Sequence, residues 1–275
     1  MRKVDLKKTG FKKVAIFFCL MIAATDFSLG QHHELHINPK WEECSFEISP
    51  ILTQSEWHTF TKEAGLAAYY RPLIDAKPIG KWNFEISLVQ WQTKIDESEG
   101  AWNNTFVHPD STHWLVGGPR LPIPGLTGRI GITDNVDVGV YFTKNPQANY
   151  GVYGGQLQYN FLNDTTEKWS ASARAGFSAI FGPEDLKVSI HGVDLVASKE
   201  FPAYSDWAFV SPYAGVSTYL SSARETTDKV ALKDEDIFGA QAMVGVAAKI
   251  SFARLAMEYN FSNTSTLSFR IGAGF

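Results

Sequence analysis

From about residue 64 to its end, the chain places apolar residues at alternate positions. That spacing gives an extended strand one apolar face and one polar face. The pattern predicts strands over 64–73, 81–94, 125–133, 136–144, 150–162, 168–181, 186–200, 207–221, 237–250, 252–262 and 266–275. In 126–133, Leu126, Gly128, Ile130 and Ile132 alternate with Thr127, Arg129, Gly131 and Thr133. In 136–143, Val136, Val138, Val140 and Phe142 alternate with Asp137, Gly139, Tyr141 and Thr143. Segments 151–161, 169–181 and 253–261 are equally regular. The phase of 186–200 slips near Gly192, where a bulge is expected. Residues 31–62 lack the pattern, and Thr53-Gln54-Ser55-Glu56 reads as a capping box opening a short helix to about Glu63.

The start of the chain has another character. Arg2, Lys3, Lys7, Lys8, Lys12 and Lys13 precede an apolar run, 14–24, too short to span a bilayer. Basic, apolar and then small is the order of a secretory signal, so 1–30 is expected to be removed before Gln31, with cleavage after Ala24 as the alternative. Cys19 follows Phe17-Phe18 rather than a small residue, which argues against lipidation. The segment carries six basic and two acidic residues, so the net charge of −4 becomes −8 without it. An acidic mature chain is a poor partner for nucleic acid. Only Cys44 would remain, which rules out an internal disulfide.

One apolar and one polar face would also suit a soluble sandwich, whose apolar faces meet. The last strand favours a membrane barrel. Leu267, Phe269, Ile271, Ala273 and Phe275 alternate with Ser268, Arg270, Gly272 and Gly274, and the sequence ends on the aromatic. This resembles the closing strand of Gram-negative outer-membrane β-barrels, and the resemblance implies that Phe275 is read by the insertion machinery. With Phe275 in the periplasm, 95–124, 145–149, 182–185, 222–236 and 263–265 become outer loops. The inner turns become 74–80, 134–135, 163–167, 201–206 and a tight one near Ser251, and Trp82, Trp169 and Trp207 form an inner aromatic girdle. Eleven strands are an odd count, whereas single-chain bacterial barrels are even. The fold expected is therefore all-β, an antiparallel transmembrane β-barrel of about twelve strands, the twelfth in 41–52 or 112–120. Ten is the alternative, with 31–62 threading the lumen as a plug. The domain division is signal 1–30, periplasmic or plug segment 31–62, and barrel 63–275 in the bacterial outer membrane.

A barrel of this size encloses a constricted passage or a ligand cavity. The inward phases nominate Glu85, Arg129, Asp137, Arg174, Lys187, Lys249, Arg254, Glu258 and Arg270 as lumen-lining. Lys249, Arg254 and Arg270, on three successive strands towards the periplasmic side, form either a basic constriction for anionic solutes or part of a ladder in which Arg254 or Arg270 pairs with Glu258. Integral outer-membrane lipid hydrolases, which this architecture resembles, carry a His-x-Ser pair facing lipid. Here Ser189-Ile190-His191 and Ser111-Thr112-His113 have the reverse order, and the first pair is assigned to the lumen phase, with Asp194 or Asn160 as possible third partners. His32, His33 and His36 lack the spacing of a helical metal motif and read as a solvated tail. Trp91, Trp102 and Trp114 read as girdle or loop-packing residues, with sugar or lipid stacking as the alternative, and Gly154-Gly155 as relief of crowding within a strand. No metal or cofactor is expected.

The run 153–159 together with 211–216 is similar to uncharacterised bacterial outer-membrane proteins, a resemblance that spans about 60–275 and implies no activity. The functional expectation is a passive channel or transporter for small solutes, not an enzyme. A lipid- or envelope-modifying enzyme and a structural or surface-interaction barrel are the alternatives. Expected partners are outer-membrane lipid, the insertion machinery and an unidentified small solute.

Overall fold

The computed structural model describes residues 45–96, 98–107, 120–144, 148–203 and 207–275. The signal segment, the three-histidine cluster, Ser111 and His113, Trp114 and the candidate strand over 112–119 lie outside these. In chain order the elements are β1 (Ser45–Phe46), α1 (Gln54–Ala67), β2 (Phe84–Lys94), α2 (Gly100–Asn103), β3 (Phe106–Val107), β4 (Arg120–Gly131) and β5 (Val136–Lys144). There follow β6 (Gly151–Asn163), β7 (Trp169–Phe181), β8 (Leu186–Lys199), β9 (Phe201–Pro202), β10 (Ala208–Glu225), β11 (Glu235–Ile250), β12 (Ala253–Phe261) and β13 (Thr266–Gly274).

Ten of the strands form one closed antiparallel ring in the order β2-β4-β5-β6-β7-β8-β10-β11-β12-β13 and back to β2. The seam between the first and last of them runs from Thr266↔Thr93 to Gly274↔Glu85. It is extended by reciprocal hydrogen bonds between Phe84 and Phe275, 2.9 and 2.8 Å. Strand β9 pairs only with the start of β10, and β1 with β3 makes a separate two-stranded sheet. Ring closure leaves no free edge, the condition for a sheet in hydrocarbon.

We refer to the rim that carries Phe275 and the short turns as the inner end and to the rim that carries the long loops as the outer end. The faces follow the alternation. Leu88, Tyr153, Leu157, Phe238, Leu255, Met257, Phe269 and Ile271 point outward and are exposed, whereas Ser87, Gln156, Ser172, Arg174, Glu258 and Ser268 point inward and are buried. Trp82, Trp169, Trp207, Phe252 and Phe275 expose their rings at the inner end. Phe142 stacks on Phe181 at 5.7 Å, and Tyr259 meets Phe261 at 4.7 Å, towards the outer end.

The count is ten rather than twelve because residues 45–83 fill the lumen instead of building its wall. The capping box forms as the sequence predicts: the Thr53 N–H donates to Glu56 Oε2 at 2.8 Å, and the Thr53 side chain accepts from the Glu56 N–H. The helix it nucleates continues to Ala67, so no strand forms over 64–73. Residues 61–74, apart from Lys62 and Glu63, are buried. A helix end and extended chain enclosed on every side are apolar all round, and over ten residues that reads like a strand. Of the described residues 45–52, only Ser45 and Phe46 become strand, and they pair with Val107 and Phe106 away from the barrel. The plug enters at the outer rim, where Phe46 N–H donates to Asn149 Oδ1 and Ile48 N–H to Asp185 Oδ2, each at 2.9 Å. It descends to the inner rim, where β2 begins.

Strand β8 departs from expectation for the same reason. Its register with β7 is unbroken from Trp169↔Lys199 to Ile180↔Val188, so the bulge near Gly192 is absent, and the irregularity falls in β6 between Asn160 and Leu162. In its outer half the inward residues are Leu186, Val188 and Ile190, buried against the plug. Lys187 and His191 are therefore outward and exposed, with Ser189 half-buried on the same face, not lumen-lining. The phase looked inverted because this stretch of lumen is apolar.

Candidate functional site

The lumen has two storeys. In the outer one, Trp57, Phe60, Leu66 and Leu73 of the plug join Val89, Trp91, Leu121, Ile123, Tyr141, Val152, Ile180 and Tyr219 of the wall in a continuous apolar core. Trp57 and Phe60 stack at 5.5 Å, and Trp91 lies on Tyr141 at 4.3 Å. Trp91 and Trp102 are thus buried packing residues. This storey is closely packed.

In the inner storey, wall arginines hold the backbone of the descending chain. Arg174 donates to the carbonyls of Ile74 (2.7 Å) and Asp75 (3.0 Å), Arg270 to Leu73 O (3.3 Å), and Arg129 to Lys77 O (3.0 Å). Arg71, on the plug itself, reaches Asn260 and Thr266 on the wall and Leu66 O and Tyr69 O beside it. Ser198 accepts from Ala76 N–H at 3.1 Å, while Asn160 donates to Ala76 O at 2.9 Å. Extended chain inside a barrel has no ladder to satisfy its polar groups, and these side chains supply the missing partners.

The charges balance through Glu85. It accepts from Arg254 Nε at 2.8 Å and Arg270 Nη2 at 2.9 Å and lies 3.5 Å from Arg129 Nη1, while Arg129 also pairs with Asp137. The expected partner of Arg254 or Arg270 was Glu258. That residue instead accepts from Tyr213 OH (2.9 Å) and Asn260 Nδ2 (3.0 Å). Glycines make the arrangement possible. A Cβ at Gly272 would stand 2.4 Å from the Ile86 carbonyl oxygen, and one at Gly274 would stand 2.7 Å from the Arg254 guanidinium.

Of the nine residues nominated as lumen-lining, Glu85, Arg129, Asp137, Arg174, Glu258 and Arg270 are buried inside, and Arg254 is half-buried. Lys249 faces an inner vestibule, and Lys187 lies outside the barrel. Sequence reasoning missed Arg71, Asp75, Lys77 and Tyr69, and it gave Asp194, which accepts from the Tyr69 hydroxyl, a different role. An arginine amid the apolar run 64–74 was the available signal. The Ser189–His191 pair gains no third partner from Asp194 or Asn160, which point inward while His191 packs on Phe177 at 5.2 Å on the outside.

An outer latch holds the plug's entry. Asp185 accepts from Ile48 N–H, and Lys229 bridges Asp185 (2.9 Å) and Glu47 (3.2 Å). Partial burial pushes the Asp185 carboxyl up, but the bonds from Lys229 and Ile48 outweigh it and hold it below the usual carboxylate range. A depressed folded value stabilises above the unfolded pKa of about 3.9, and that stabilisation is lost as pH falls through the folded value. Amides of 45–52 are therefore expected to exchange faster at about pH 3 than at neutrality once intrinsic rates are removed. Asp185→Asn should show the faster rate at both values, and equal protection in wild type and variant would discount the latch.

The closed sheet, its apolar outer band and the aromatic rings at both rims define a transmembrane β-barrel of the kind found in bacterial outer membranes. No family model matches the sequence, and no curated protein matches it. Solved structures similar to it include the β domain of the Bordetella autotransporter BrkA, at 11% identity and a TM-score of 0.38, covering 70% of this chain and 98% of that one. LpxR from Salmonella typhimurium is similar at 11% identity and a TM-score of 0.34, covering 70% and 99%. Ail, the attachment invasion locus protein of Yersinia pestis, is similar at 12% identity and a TM-score of 0.29, covering 70% and 96%. At these identities and scores neither activity nor detailed geometry carries across.

Proposed function

We propose that this protein is a plugged outer-membrane barrel that acts through its outer face rather than by free passage through its lumen. One observation carries this reading: α1 and residues 68–80 occupy the space a solute would cross, in a core that meets most strands of the wall. The same latch that seals the lumen organises the outer rim. Loop 226–234 is pinned by Lys229 and packs Val230 and Leu232 on the plug's core. A plug anchored to the loops is a rigid platform, suited to surface contact. Outer-membrane lipid covers the apolar band, and the insertion machinery reads Phe275.

In a planar bilayer the folded protein is expected to be silent to small ions, and steady wild-type conductance would overturn the reading. Replacing loop 226–234 by a short Gly-Ser link should abolish whatever surface attachment the expressing cells gain from the intact protein, at equal barrel abundance. Unchanged attachment would count against the platform.

The second reading, a gated passage for small solutes, is favoured by the inner storey. There the plug is held by hydrogen bonds to wall side chains, which can exchange for water, rather than by apolar packing. It needs a trigger that withdraws residues 45–80, and conductance appearing only under that trigger would distinguish it.

A further inference from the structure

Beneath the plug a cavity of about 300 Å³ reaches the inner rim between residues 74–79 and the walls of β2, β4 and β10–β13. That is the lower end of the size range of small-molecule sites. Five cations border it: Lys77, Arg129, Lys249, Arg254 and Arg270. Lys77 is neutralised by Glu200 at 2.8 Å, and the three arginines share Glu85 and Asp137. With Asp75 included, five positive charges meet four carboxylates, so one positive charge remains.

The unpaired charge is at Lys249. It stands opposite Arg254 in the β11–β12 register, is exposed to the cavity, and makes no hydrogen bond or ion pair among the described residues. Nearby, the buried Nε of Arg129 has no acceptor. The other part of the lining is apolar: Ile74 and Ile79, with Phe84 and Phe275 at the rim, whose rings lie 5.3 Å apart.

We propose that this vestibule binds a small organic anion, its carboxylate or phosphate head on Lys249 and its apolar body towards the phenylalanine rim. A single free ammonium in a concave, partly desolvated wall favours one negative charge, and the charge-assisted bond is stronger there than at an open surface. Apolar contact supplies the remaining affinity, so hexanoate should bind better than inorganic phosphate. The ligand comes from the inner compartment, because the packed outer storey closes the other route. The site does not depend on what the outer face contacts.

The test is titration calorimetry on the folded full-length barrel in neutral detergent, with hexanoate, inorganic phosphate and hexylammonium as probes. Hexanoate is expected to give saturable heat, phosphate weaker heat and hexylammonium none. Lys249→Gln should weaken hexanoate by about tenfold, Lys249→Glu should abolish it, and Lys187→Gln, on the outer surface, should match wild type. Heat-dependent gel mobility checks that each variant is folded. Independently, hexanoate should slow the reaction of Lys249 with an amine-selective reagent, read by mass spectrometry. Competition by added anionic phospholipid would identify a lipid headgroup as the natural source of the same chemistry; its absence would identify a free solute. No saturable heat, equal binding by Lys249→Gln, or equal binding of hexylammonium would overturn the assignment. Wild-type conductance would sink the closed-lumen reading and with it the one-sided route, while the site itself still stands or falls on Lys249.

Discussion

Glu85→Ala is expected to destabilise the folded barrel by about 3–5 kcal/mol, the scale for removing one partner from a buried ionic cluster. The residue is 7% exposed and serves Arg254, Arg270 and Arg129 together. Without it two guanidiniums lose the only carboxylate they pair with among the described residues, while Arg129 keeps Asp137. The urea midpoint in detergent, at unchanged slope, measures the loss. Glu85→Gln should retain part of the hydrogen bonding and fall between the two. Pairing it with Arg254→Gln should recover some stability, since the uncompensated charge is what costs most. A Glu85→Ala midpoint within error of wild type would mean that water already replaces the carboxylate.

Trp57→Ala should cost about as much by a different route, about 3–5 kcal/mol for emptying a fully buried indole site. Trp57 is fully buried and stacks on Phe60, so the void opens in the middle of the outer storey. The expected signature is twofold. The unfolding midpoint falls, and a barrel expected to be silent as wild type begins to flicker in a planar bilayer as the plug loosens, more so when Phe60→Ala is added. Loss of stability without any current would show that the inner storey closes the lumen unaided. The two variants thus separate the two storeys.

Most of the wall was legible because each strand must present one face to lipid and the other to the lumen. Over 126–131, 136–143, 151–160, 169–178 and 253–261 the period-two phase alone separates the two faces, with Arg129, Asp137, Arg174 and Glu258 on the inward one. The odd strand count was itself informative, since it required one false strand or one missing. The false one was 64–73, where helix α1 and the chain after it are apolar on all sides because the barrel surrounds them. Lys187 was misassigned from the same cause, for next to an apolar plug the inward phase of a strand is no longer the polar one. The pairing of Arg254 and Arg270 with Glu85 rather than Glu258 could not be read at all. It joins strands distant in the sequence, and depends on the space that Gly274 leaves for the Arg254 guanidinium.

The route of residues 45–83 bears on how such a molecule comes into being. Ser45 sits at one rim, Phe84 opens the first strand of the ring at the other, and the bulky rings of Trp57 and Phe60 lie between them. Threading a finished cylinder would draw those rings past the wall residues they end up touching, whereas closing the β2–β13 seam last would lay the wall around them in place. The same contacts that fill the lumen then serve as a template on which the ring can close.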